Sequence, residues 1–114
     1  MRTPIMAGNW KMYKTAREAA ETIRTLREQL SDVAGVDVVI CPPFTALASV
    51  IGAASGSRIA VGAQDCYWEK EGAFTGEVSV AMLAELGCRY VVVGHSERRQ
   101  YFGETDATVD KKIG

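Results

Sequence analysis

The sequence predicts an α/β fold on a parallel sheet, and three observations carry that expectation. Four apolar runs recur along the 114 residues, three of them are continuous, and helix signals fill the intervals between them. A continuous apolar run suits a strand covered on both faces, whereas a strand with one wet face alternates. Each strand-plus-helix unit takes about thirty residues, the length of a βαβ step.

In chain order, the first run is IMAGNW (5–10). Thr15-Ala-Arg-Glu18 then has the form of a capping box, in which the threonine oxygen accepts from an early helix N–H and Glu18 reaches back. Ala19, Ile23, Leu26 and Leu30 follow at three- and four-residue spacing and define one apolar face. The second run, VDVVIC (36–41), leads through Pro42-Pro43 to a short apolar helix expected over 46–54. The third, RIAVGA (58–63), opens the one long connection, GAQDCYWEKEGAFTGE (62–77), whose length points to function. A helix is expected over 78–86, stopped by Gly87 in the left-handed cap position. The fourth run, RYVVVG (89–94), ends at the only histidine, and Thr105 or Asp106 is the expected N-cap of a last helix. The resulting order, β-α-β-α-β-α-β-α, implies right-handed crossovers. No fifth run follows YVVVG, so an apolar strand edge is left for more chain, a second chain or a swapped element to cover.

Composition sets the class. Hydrophobic residues make up 47% and charged residues 24%, which argues against disorder. The net charge of −1, without long like-charged runs, gives no nucleic-acid surface or polybasic membrane patch. No run approaches the roughly 18 apolar residues of a membrane span, and MRTPIMAGNWKM does not read as a signal peptide. Cys41, Cys66 and Cys88 are odd in number and lack metal-ligand spacing, so neither a disulfide framework nor a zinc site is expected and a reducing cytoplasm fits. Cys41 and Cys88 read as small buried hydrophobes.

In parallel α/β folds functional groups collect where strands hand over to helices. That rule selects Asn9, Trp10 and Lys11; Pro42, Pro43 and Phe44; Gln64 and Asp65; and Gly94, His95, Ser96 and Glu97. Asn9, Lys11, His95 and Glu97 form the working set: an amide, a cation, an imidazole and a carboxylate. Each has a plain structural reading: Asn9 in its own turn, Lys11 solvated, Glu97 at a helix N-terminus, His95 hydrogen-bonded in place. Their coincidence at two strand ends on one rim favours the functional one. A helix opening at Ser96 would point N–H groups at His95, disfavour its protonation and leave its other N–H for a substrate oxygen.

Four segments, AGNWKM (7–12), CPPFTAL (41–47), AQDCYWEKEGAFTGEVS (63–79) and VVVGHSERRQYFGETD (91–106), resemble the triosephosphate isomerase family in order and spacing. The resemblance implies the N-terminal half of a (β/α)₈ TIM barrel, with residues 1–114 a partial domain of four parallel β/α units. It implies interconversion of dihydroxyacetone phosphate and glyceraldehyde 3-phosphate, in glycolysis and gluconeogenesis, without cofactor or metal. Asn9 and Lys11 then bind substrate, and Lys11 stabilises charge on the phosphate and the enediolate. His95 polarises the carbonyl and shuttles a proton, since a neutral histidine is this family's own electrophile. Glu97 is the partner of the lysine. The long loop is expected to enter a neighbouring subunit of a dimer through Phe74, Thr75 and Gly76. The expected partners are a triose phosphate and a second copy or a complementary C-terminal half, with no nucleic acid and no membrane. A full barrel takes about 250 residues, so the carbon base, the lid and the phosphate-binding turns are not in this chain. The other readings are a non-catalytic self-associating half-barrel with weak anion binding at Lys11, and a flavodoxin-like binding domain. The last is disfavoured because no glycine-rich loop follows the first strand.

Overall fold

A computed structural model describes residues 5–31 and 35–114. Its elements are β1 (Ile5–Asn9), α1 (Ala16–Gln29), β2 (Asp37–Cys41), α2 (Phe44–Ala54), β3 (Ile59–Ala63), α3 (Val80–Leu86), β4 (Tyr90–Val91), α4 (Ser96–Tyr101) and α5 (Asp106–Ile113). The four strands pair in sequence order, β1-β2-β3-β4, and every pair is parallel.

The register sorts the strand residues by face. Val38 sits opposite Ile59 and Ile40 opposite Val61, and three of these four belong to the buried core beneath the helices, with Val38 packed against it. Ala19 and Ile23 of α1, Ala46, Leu47, Val50 and Ala54 of α2, Ala63 of β3, Leu83 of α3, and Cys66 between those two elements complete that core. Ile23, Leu47 and Leu83 are essentially inaccessible, and each contributes about 1.5–3 kcal/mol by leaving water. Gly62 allows close packing on the other face: a Cβ there would meet Cys41 Sγ at 2.9 Å and the Tyr90 backbone oxygen at 3.2 Å.

Local signals set most boundaries. The capping box at Thr15 and Glu18 is formed and starts α1, and Leu26 and Leu30 pack half-buried against the core. The α2 helix begins at Phe44, two residues before the expected start, with Pro43 preceding it. Proline's fixed φ and missing N–H cost nothing at that position. The α3 helix starts later than expected because Ser79 is its N-cap, accepting from Met82 N–H, while the Val78 carbonyl is committed to Tyr67 N–H. Gly87 ends α3 at φ 107, as expected. The last expected helix begins at Asp106, with Thr105 as N-cap, and α4 precedes it as a separate element.

The fourth strand is shorter than its apolar run. Only Tyr90 and Val91 are laddered to β3, flanked by single bonds from Arg89 N–H to Val61 O and Val92 N–H to Ala63 O. Among the described residues, the outer sides of β1 and β4 have no strand partner. Ile5, Met6 and Tyr90 on these edges are 55%, 67% and 40% exposed.

Candidate active site

The site begins where β1 ends. Asn9 turns its side-chain Oδ1 back to accept the Lys11 N–H at 2.9 Å, and Lys11 takes φ 54. Left-handed backbone costs a lysine about 1–2 kcal/mol, and such strain gathers where geometry is used. Gln64, just past β3, ties this turn to its neighbours: its Nε2 lies 2.8 Å from Lys11 O, 2.9 Å from Cys41 O and 3.3 Å from Asn9 Oδ1.

The end of β4 supplies the rest. Gly94 at φ 66 turns the chain, and His95 becomes the N-cap of α4. Its Nδ1 accepts the Glu97 N–H at 3.1 Å, so one ring nitrogen is engaged by a helix N–H as expected. With that lone pair occupied, the proton of a neutral ring belongs on Nε2. Glu97 Oε2 pairs with Lys11 Nζ at 3.3 Å, joining the tips of β1 and β4. The two side chains are 52% and 41% exposed, so this pair contributes little stability; its effect is to aim the ammonium.

Asn9, Lys11, His95 and Glu97 thus line one open cleft of about 560 Å³, together with Gln64 and Phe44. The other rim residues divide. Pro42 is fully buried, and Trp10 packs half-buried against the core with Lys14 5.7 Å from its ring. Ser96 is exposed as the first residue of α4.

Asp65 does something the rim rule did not foresee. Its Oδ1 accepts from Lys112 Nζ at 2.8 Å, and its Oδ2 faces Arg98 Nε at 3.2 Å. Lys112 also binds Glu104, and both side chains are almost wholly buried. Arg98 Nε and Glu104 Oε2 sit 3.8 Å apart, both buried and neither hydrogen-bonded. Burial pulls the Lys112 ammonium down, but the hydrogen bonds and charges of Asp65 and Glu104 together outweigh it, and its pKa stands raised. A signal existed: Lys112 follows Val109 by three residues and adjoins Ile113, placing a cation on the apolar stripe of α5.

Phe74, Thr75 and Gly76 are exposed on the connection between β3 and α3 and do not line this cleft. The aromatics of that connection cover one another: Tyr67 stacks on Trp68 at 4.2 Å and meets Phe74 at 4.8 Å, with Lys111 over Trp68 at 5.0 Å. Cys41 and Cys66 are buried and Cys88 is only half-buried, less covered than expected. Burial pushes all three thiols up, the opposite of what a reactive cysteine needs. Among the described residues, no group of three or more His, Cys, Asp or Glu is arranged to hold a metal ion, and no helix is long and apolar enough to cross a membrane.

This geometry can be set beside known proteins. A family model described as triosephosphate isomerase matches residues 4–114. The chain belongs to the triosephosphate isomerase family. It is 64% identical to the triosephosphate isomerase of Moorella thermoacetica over 113 residues, covering 99% of this chain and 45% of that protein. Identity to the same enzyme of Carboxydothermus hydrogenoformans is 62%, with the same coverage. The crystal structure of triosephosphate isomerase from Bartonella henselae superposes with a TM-score of 0.90 at 36% identity, over 98% of this chain and 46% of that one. The fold is therefore the N-terminal half of a TIM barrel, and the chain spans about 45% of the length of the curated relatives it matches.

Proposed function

We propose that this chain carries the electrophilic half of a triosephosphate isomerase active site, interconverting dihydroxyacetone phosphate and glyceraldehyde 3-phosphate when joined to the rest of a barrel. The supporting observation is the meeting of two strand tips: Lys11 Nζ lies 3.3 Å from Glu97 Oε2, and Glu97 N–H caps His95 Nδ1 at 3.1 Å. In this reading Lys11 holds the phosphate and the growing negative charge. The Nε2–H of His95 donates to the carbonyl oxygen and carries a proton between the two substrate oxygens. Asn9 has its Oδ1 committed to Lys11 N–H, which leaves its amide protons for a substrate oxygen. Preorganised donors of this kind commonly supply a large share of catalysis. The proton on carbon needs a carboxylate base, and Glu97 does not serve, because it is paired with Lys11. No cofactor or metal enters this scheme.

The same reading takes residues 1–114 as one partial domain, its location as cytoplasmic and its pathways as glycolysis and gluconeogenesis. It also takes Phe74, Thr75 and Gly76 as contacts to a second subunit; their exposure supports this. A coupled assay of aldose–ketose interconversion tests the proposal. Turnover is expected when the chain is mixed with a C-terminal half of a relative, and to vanish with His95→Gln or Lys11→Met in the mixture. Full activity in either variant overturns the assignment. The open edges of β1 and β4 favour a second reading, a non-catalytic half-barrel that self-associates and binds anions weakly at Lys11. Turnover in the mixture argues against that reading.

A further inference from the structure

We infer that Gln64 is a positioning residue, whose side-chain amide holds Lys11 in its left-handed turn so that the ammonium faces the phosphate of the substrate. The inference rests on the reading of Lys11 as the anion-binding group. Three oxygens surround one atom of Gln64: Lys11 O at 2.8 Å, Cys41 O at 2.9 Å and Asn9 Oδ1 at 3.3 Å. Two are carbonyls, and the third already accepts the Lys11 N–H at 2.9 Å, so all three are acceptors and the atom between them must be the NH₂.

The consequence falls on one residue. Cys41 O already accepts from Trp10 N–H at 3.0 Å, so the tie between strands does not depend on Gln64 alone. The Lys11 turn is held from both ends, with its N–H on Asn9 and its carbonyl on Gln64. At φ 54 a lysine returns to ordinary backbone unless something restrains it, and such a flip would swing Nζ away from Glu97. Small displacements of a positioned charge cost catalysis heavily, on the order of a hundredfold for about 1 Å.

Two substitutions separate positioning from general support. Gln64→Met keeps the side chain's length without a donor, and Gln64→Glu turns an oxygen towards three acceptors. Each is compared with Ser79→Ala, which weakens the fold through the α3 cap, far in sequence from the site. The 114-residue chain is titrated with inorganic phosphate, and Lys11 backbone carbon shifts and amide coupling are read by NMR. Positioning predicts that both Gln64 variants move Lys11 out of the left-handed region and weaken phosphate binding about tenfold, while Ser79→Ala leaves Lys11 unmoved. It also predicts unchanged amide shifts at Val38 and Ile59. In the mixture with a C-terminal half, kcat/KM falls with the Gln64 variants and not with Ser79→Ala. Lys11 shifts that stay left-handed in Gln64→Met would overturn the inference, as would shifts spread evenly over the sheet or loss of the folded sheet. If the unsubstituted chain binds no phosphate, the reading of Lys11 fails, and the Lys11 shifts still judge Gln64.

Discussion

At the scale of single residues, two groups lend themselves to direct measurement. His95 accepts the Glu97 N–H through Nδ1, so its neutral ring carries the proton on Nε2. Nitrogen-15 NMR of the imidazole should show that tautomer, and a proton on Nδ1 would contradict it. Lys112 is the second group. Removing it in Lys112→Met takes away the ammonium both carboxylates bind and leaves Asp65 and Glu104 with Arg98 alone as a neighbouring cation. Breaking such a buried pair costs about 3–5 kcal/mol, which chemical denaturation measures. The pH dependence has a definite sign. The Lys112 pKa is raised in the folded chain from 10.5, so its stabilisation is complete below that value and is lost as pH climbs through the folded pKa. Alkaline unfolding should therefore be shallower in Lys112→Met than in the unsubstituted chain.

At the scale of elements, caps decide where helices begin and end. The α3 helix has seven residues, too few to be stable on its own, and depends on Ser79 at one end and Gly87 at the other. Gly87→Ala forces a side chain into φ 107 and brings a Cβ within 3.3 Å of Ile51 Cγ2. A loss of about 1–2 kcal/mol is expected from the backbone alone, visible as a lower denaturation midpoint with an unchanged slope. A neutral result would mean that the helix end relaxes out of the left-handed conformation. The two edge strands differ: β1 is laddered to its one neighbour over five residues, whereas β4 is laddered to β3 over Tyr90 and Val91 alone.

At the scale of the whole molecule, the open sheet dominates behaviour. Among the described residues, both edge strands lack a strand partner on their outer side, next to exposed Ile5, Met6 and Tyr90. Exposed apolar edges of that kind pair with other chains. The isolated chain should self-associate as its concentration rises, and Met6→Lys together with Tyr90→Lys should suppress it in light scattering. A monomer at high concentration before substitution would remove the basis for this expectation. Where a C-terminal half is present, the same edges are the surfaces it would occupy.

What could be read without coordinates was whatever depends on neighbours in sequence. Continuous apolar runs mark strands covered on both faces, and Thr15 with Glu18, or Gly87 after Leu86, mark helix ends, because caps and periodicity act over three or four residues. The rim rule likewise placed Asn9, Lys11, His95 and Glu97 together, since strand direction determines which loops share an end. Tertiary structure alone decided the rest. Gln64 was visible as a rim residue, yet its three partners come from 23, 53 and 55 residues away. The union of Asp65, Arg98, Glu104 and Lys112 is of the same kind, reaching across 47 residues between Asp65 and Lys112. Hydrogen bonds and ion pairs act only within a few ångströms, and no local pattern records which distant groups the packed core will bring that close.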